Sequence, residues 1–349
     1  MSEIVFLSAF IIFVGLMLTL DLGVFHKKDH VISFKDALVW TCVWIGISLL
    51  FYVLMLFHAE WVHGIDDMQG LLDYKAKYGG ALPFSQELSY AENLKIFRHA
   101  FSLEFLTGYL IEKSLSLDNI FVMLVIFASF KVEPKYYHRV LFYGILGAVV
   151  FRFIFIFLSA TLIEHFEWVL LIFGVFLTFT GVKMFIPKKE DDNMQVDKHP
   201  VVRFCARFKL STPIYHGQKF FIRENGKLLL TPLFVVLIII EFSDIIFAVD
   251  SIPAIFSVTK DPYIVFFSNI FAILGLRSLF FVLQSVMDKF AYLKIGLAAL
   301  LTFIGVKMIL PFISESWHIP TSISLVIIVA ILSISIVASI LFSKKKTTK

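Results

Sequence analysis

Stretches of about 20 consecutive, mostly apolar residues recur along this chain, each long enough to cross a hydrocarbon core of about 30 Å. They are read at 4–25, 38–57, 103–130, 138–160, 168–187, 229–257, 263–285, 291–311 and 320–342. With no water at that depth, a spanning backbone must satisfy its own hydrogen bonds, as a helix does. The expected fold is all-α and polytopic, with about nine transmembrane helices. Composition agrees: 59% of the 349 residues are hydrophobic and 17% charged, against about half and a quarter in soluble domains. The 41 phenylalanines are expected at lipid-facing and packing positions. The N-terminus, MSEIVFLSAF, has no basic stretch before its apolar run and reads as a retained first span.

Orientation follows from the Lys and Arg residues between spans. Alternate loops hold Lys27, Lys28 and Lys35, then Lys131, Lys135 and Arg139, then nine cations from Lys188 to Lys227. Lys289, Lys294 and the KKKTTK tail continue the series, which gathers 21 of the 31 Lys and Arg on one side. The expected arrangement is N-terminus outside and C-terminus in the cytoplasm, which an odd number of spans satisfies. The net charge of +4 reflects this orientation rather than a nucleic-acid surface. Two cysteines, Cys42 and Cys205, make neither a disulfide framework nor a metal-type pair.

The chain also resembles itself. TFTGVKMFIP at 178–187 and TFIGVKMILP at 302–311 match at seven of ten positions. Arg152 and Arg277 precede the matching Lys183 and Lys307 by 31 and 30 residues, and EKSLSLD (112–118) and DIIFAVD (244–250) each place an acid six residues before an Asp. Each copy, 103–187 and 229–311, holds three spans. Three is odd, so the copies enter the membrane from opposite sides, the build of many secondary transporters. The expected divisions are 1–102 (two spans and an outer loop), the first repeat 103–187, a cytoplasmic loop 188–228, the inverted repeat 229–311, and 312–349 with the last span.

Carboxylates inside these spans are the candidate site. The first copy carries Glu112 and Asp118, and the second carries Glu241, Asp244 and Asp250. An acid at a helix centre costs about 2.5–3.5 kcal/mol on insertion scales, so the three in the second copy forfeit roughly 7–10 kcal/mol. Pairing with Lys113, Arg152 or Arg277 accounts for only part of this, because five acids outnumber three cations. Glu241 and Asp244 share a helix face, whereas Asp250 points about 120° away on a regular helix. Pro253 removes a bond to Val249, which is either an ordinary kink or an opening that frees a carbonyl beside Asp250. Ser114, Ser116 and Asn119 compete for backbone groups in the first copy, and Ser251 stands next to Asp250.

An all-oxygen set suits hard divalent cations such as Mg, Ca or Mn. Mutual repulsion favours proton uptake by an empty site, and metal binding would expel those protons. Cation export in exchange for protons is therefore expected, with the divalent ion and protons as substrates, the bilayer as surroundings and no cofactor. No nucleophile–base pair or phosphate-binding glycine loop points to an enzyme.

Several stretches together resemble the TerC/Alx family of bacterial integral membrane proteins: TLDLGVF (19–25), EKSLSLDNIFV (112–122), HGQKFFIRENGKLLLTPLF (216–234), EFSDIIFAVDSIPAIF (241–256) and NIFAILGLRSLFF (269–281). The resemblance runs from about residue 15 to about 311. It implies an inner-membrane protein that exports manganese, within a larger superfamily of cation and lysine exporters. The family is historically associated with tellurium resistance, although nothing in this sequence is built for an oxyanion. Its acidic transmembrane positions carry over to Glu112, Asp118, Glu241, Asp244 and Asp250.

Other features fit two readings each. Asp21 is either a ligand at the pathway's cytoplasmic mouth or a partner of Lys27. Asn269 either lines the pathway or makes a packing hydrogen bond, and Arg152 and Arg277 either tune the acids or join helices. Asn225-Gly226 between strand-like flanks marks a hairpin, a regulatory element or a clip. The segment 58–102, with His58, Glu60, His63, Asp66, Asp67 and Asp73, reads as an acidic solvated loop. A passive cation channel, a Ca2+ exchanger and a scaffold acting through loop 188–228 stand as alternatives to Mn2+ export.

Overall fold

Apolar runs that bond their own backbone groups fold here as long helices, ended where capping residues or turns replace the lost bonds. The computed structural model describes residues 3–25, 33–78, 84, 87–166, 168–185, 212, 214–224, 227–286, 293–314, 317 and 319–342. In chain order the elements begin with α1 (Glu3–Phe25), α2 (Phe34–His58), α3 (Glu60–His63), α4 (Met68–Tyr78), α5 (Tyr90–Ser129), α6 (Tyr137–His165) and α7 (Trp168–Met184). A hairpin of β1 (Phe221–Glu224) and β2 (Lys227–Leu230) comes next. It leads to α8 (Pro232–Phe256), α9 (Pro262–Ile273), α10 (Leu276–Val286), α11 (Leu293–Ile313) and α12 (Thr321–Phe342).

The molecule is an all-α polytopic membrane protein. Six helices, α1, α2, α6, α8, α11 and α12, are long and apolar enough to cross a bilayer, and the bent pair α9/α10 makes a seventh. Two more of the expected ranges fall on α7, a 17-residue apolar helix, and on the distal part of α5, where Glu112, Lys113 and Asp118 interrupt the apolar run. Large apolar side chains such as Ile4, Leu50, Val326 and Leu341 stay exposed, as a lipid-facing surface requires.

The 40-residue α5 is the centre of the bundle. Its start is capped by Ser89 and Glu92, each bonding the other's backbone amide. It packs against α2, α8, α9, α10 and α12. Phenylalanines fill the space between α1, α2, α5 and α9. Ring centroids stand 4.5 Å apart for Phe10–Phe267, 4.7 Å for Phe51–Phe271 and 4.9 Å for Phe51–Phe105, in tilted or edge-on pairs.

The two matching ten-residue stretches meet each other. A β-carbon on Gly305 would lie 2.4 Å from Thr178 Oγ1, and one on Gly181 would lie 2.4 Å from Thr302 Oγ1. Residue numbers rise along α7 as they fall along α11, so the helices run antiparallel. Small residues allow this close approach.

Three expectations are corrected. Helix α8 continues through Pro253 to Phe256 without a break. The proline sits in the last turn, where losing one bond ends nothing prematurely. The span expected to be continuous, 263–285, is instead the broken one: α9 and α10 meet at 45° across Leu274 and Gly275. Gly275 adopts φ +82°, open to glycine at no steric cost, and a β-carbon there would lie 2.6 Å from the Trp44 side chain.

The third correction concerns 58–102, whose described residues, 58–78, 84 and 87–102, fold over one end of the bundle rather than lying as a solvated loop. His63 Nε2 lies 2.7 Å from Asp261 Oδ2, and the Tyr74 hydroxyl donates to the same oxygen at 3.1 Å. Asp261 Oδ1 meanwhile accepts from Tyr263 N at 2.9 Å and so caps α9. The fully buried Asp261 thus joins α3, α4 and α9. Nearby, Arg98 Nε donates to Glu60 Oε2 at 2.7 Å.

The hairpin forms as expected, pairing Phe221 with Leu230 and Glu224 with Lys227; the Asn225-Gly226 turn lies outside the described residues. Thr231 donates through N to Phe220 O (2.9 Å) and through Oγ1 to Lys219 O (2.7 Å). Tyr215 donates to Phe130 O at 2.8 Å, next to the end of α5. These bonds fasten the hairpin region to α8 and α5, which is the clip arrangement.

Candidate functional site

Arg152, on α6, is almost fully buried and reaches three other helices. Its Nη1 donates to Glu112 Oε1 on α5 and, at 2.8 Å, to Asn269 Oδ1 on α9. Its Nη2 and Nε meet Asp244 Oδ1 and Oδ2 on α8 at 2.9 and 3.3 Å, a forked pairing that only a guanidinium makes. In the amide orientation that satisfies both ends, Asn119 Oδ1 accepts from Arg152 Nη2 at 3.3 Å while Nδ2 donates to Leu115 O. Asn269 completes its own bonding through Nδ2 to Val265 O at 3.0 Å. Of the two readings of Asn269, these bonds are the packing one.

Two carboxylates share one cation here, so the cluster keeps a formal charge of −1. Among the described residues, the buried Glu112 Oε2 finds no hydrogen-bond partner. Glu241 lies on the Asp244 side of α8, as their spacing requires. It packs against Gly147 of α6, where a β-carbon would lie within 2.5 Å of the Glu241 carboxylate, and its Oε2 is also without a donor.

With α8 unbroken, Asp250 does point away from the Arg152 cluster. It comes within electrostatic reach of Asp118 on α5, and its Oδ1 is buried without a donor. Asp118 lines a cavity of about 20 Å³ with Ser114, Leu117, Gly296 and Ser335. Such a space holds about one water, and a bare metal ion is no larger. Ser114 Oγ donates to Leu110 O at 2.6 Å, while the buried Ser251 hydroxyl is without a partner.

The break between α9 and α10 lies beside the network. Lys113 Nζ donates to Ala272 O at 3.2 Å, at the carbonyl end of α9 where cations are favoured. Lys113 thus serves a helix end rather than an acid. Arg277, the second residue of α10, joins Asp21 of α1 through Nη2 to the carbonyl (2.6 Å) and Nε to Oδ2 (3.3 Å). Asp21 is therefore a partner of Arg277; Lys27, named as its alternative, lies outside the described residues.

The structure brings Glu112, Asp244, Asn119 and Asn269 together on Arg152, with Glu241 beside Asp244, and leaves Asp118 within electrostatic reach of Asp250. It does not gather all five acids around one point. Among the described residues, no three His, Cys, Asp or Glu side chains converge at metal-binding distances. Sequence reasoning missed Glu104, which faces Thr259 and Lys307, and Asp261 with its His63 and Tyr74 partners. The Asp-Pro pair at 261–262 is a helix-start signal that pointed to Asp261. No local signal pointed to Glu104.

These features define a class: a multi-helix integral membrane protein whose interior is cross-linked by an ionic network between acidic helices. Residues 97–347 match the model of the integral membrane protein TerC family. The chain belongs to that family. It is 44% identical to the Alx protein of Salmonella typhi over 95% of this chain and 92% of that one. Identity is 42% to Alx of Photorhabdus laumondii over 98% and 96%, and 44% to an uncharacterized membrane protein of Myxococcus xanthus over 98% and 93%. No solved structure matches the chain.

Proposed function

We propose that this protein is a secondary-active exporter of divalent cations, Mn2+ foremost, working in exchange for protons. One observation carries the reading: the two membrane acids of the first copy lie near their counterparts in the second. Glu112 and Asp244 meet on Arg152, and Asp118 and Asp250, each six residues further along, come within electrostatic reach of each other. Oxygen-only groups of this kind suit hard cations, and the reciprocal α7–α11 contact supports two halves related by inversion. On this reading the N-terminus is outside a bacterial inner membrane, the C-terminus is cytoplasmic, and Glu112, Asp118, Glu241, Asp244 and Asp250 carry the ion.

Cell manganese content tests it. Cells expressing the wild-type protein should hold less Mn2+ under manganese load than cells expressing Asp118→Asn or Asp250→Asn. Equal content in all three sinks the export reading. Saturable flux that follows an imposed pH gradient separates exchange from a passive channel, and competition by Ca2+ separates the two metals. A scaffold would instead tolerate both amide variants and fail when loop 188–228 is deleted. The relatives called Alx are named for a suggested redox-modulating role. Of the two cysteines here, Cys42 is unpaired and exposed on α2, and Cys205 lies outside the described residues.

A further inference from the structure

Arg152 does for Glu112 and Asp244 what a metal ion would do. It places positive charge between two buried carboxylates from different helices and engages oxygens of both. An arginine kept only to join helices would be expected to leave its neighbourhood satisfied. This one does not. Among the described residues, Glu112 Oε2 on the same carboxylate has no hydrogen-bond partner, nor has Glu241 Oε2, three residues before Asp244 on α8. One guanidinium serves a cluster that has acceptors to spare, and two amide oxygens, from Asn119 and Asn269, also turn toward it. Carboxylate and amide oxygens are the ligand types that hard divalent cations select.

We propose that Arg152 is a tethered counter-ion, holding Glu112 and Asp244 while the site is empty and yielding them to a divalent cation that competes for the same oxygens. The inference rests on the cation-transport reading above and adds how the empty site is kept closed. Arg152 stands on α6 and its partners on α5, α8 and α9, so its displacement breaks the polar links of α6 to three helices at once. Cargo binding and helix movement become one event. The flexible stem lets the guanidinium withdraw, and repulsion from the bound ion keeps it withdrawn. Arg152 is a positioning residue, never a ligand.

The test is Mn2+ binding to the purified full-length protein, by calorimetry, in the wild type, Arg152→Gln and Arg152→Lys, with Ca2+ and Mg2+ alongside. A competitor that fills the site most of the time lowers apparent affinity by the fraction it leaves free. Arg152→Gln should therefore bind Mn2+ about tenfold tighter or better. Arg152→Lys, which keeps the charge but loses the fork, should fall between. Equal or weaker binding by an Arg152→Gln protein that melts and elutes like wild type overturns the proposal. If neither wild type nor variant binds any of the three ions, the transport reading itself fails and takes this inference with it. Should the variants not fold, hydrogen exchange on the wild type decides. Amides of 144–156 on α6 should exchange faster with saturating Mn2+, and unchanged or slower exchange overturns the proposal.

Discussion

Gly275 faces Trp44 so closely that a β-carbon on it would stand 2.6 Å from Trp44 Cβ. Its φ of +82° is equally closed to other residues. The bend that separates α9 from α10 is thus held by two independent requirements, one of backbone conformation and one of space. It also sets the carbonyl end of α9 beside Lys113 and places Arg277 against Asp21.

Gly275→Ala should therefore destabilise the protein by about 1–3 kcal/mol, the usual range for overpacking. Gly46 is the control, since nothing lies within 4 Å of a β-carbon there. Gly46→Ala in the interior of α2 should be neutral or stabilising by up to about 1 kcal/mol. Melting of both variants in the same detergent checks the contrast, and equal effects would remove the structural role of the bend.

The α7–α11 seam makes a matched pair of predictions. Gly181→Ala and Gly305→Ala each drive a β-carbon onto a threonine of the facing helix, Thr302 and Thr178 respectively. Each should cost about 1–3 kcal/mol. Because the first substitution already parts the helices, the double variant should lose less than the sum. Simple additivity in thermal unfolding would show that the two contacts are independent.

Asp261 joins the cap helices to the start of α9, and three donors converge on its carboxylate. Burial and the adjacent Asp261 carboxylate push the Tyr74 hydroxyl well above its usual range, which keeps it a donor. Asp261→Ala removes a helix cap worth about 1 kcal/mol and leaves buried donors unmet at about 1–3 kcal/mol. The melting temperature should fall, and protease should cut within 58–102 sooner than in wild type. A variant as resistant as wild type would mean that the cap is anchored elsewhere.

Helix α5 begins with a pH-dependent clasp. The Ser89 hydroxyl and amide donate to Glu92 Oε2 at 2.7 and 2.9 Å and hold its carboxyl below the usual 4.5. A carboxyl lowered in the folded state contributes stability above its unfolded value, and that stability is lost as pH falls through the folded value. The stability gap between wild type and Glu92→Ala should thus be constant above about pH 5 and shrink as pH falls further. A gap that does not change with pH would show that the carboxylate charge plays no part.

The all-α, membrane-spanning class and the burial of Glu112 and Asp244 were legible in the sequence, because each depends on composition or spacing within a short stretch. Transfer out of water is decided residue by residue, and helical period decides which neighbours share a face, as Glu241, Asp244 and Asp250 illustrate. What the tertiary structure alone decided is which charges meet. Arg152 reaches Asp244 from 92 residues away and Asn269 from 117. Arg277 turns to Asp21 instead, and His63 crosses to Asp261. Such pairings depend on the packing distances and rotations of whole helices, which no local pattern encodes. The break fell at Gly275 rather than Pro253 for the same reason. A proline in a last turn costs little where a helix is ending anyway, while a glycine pressed against a distant tryptophan can be recognised only once the two have been brought together.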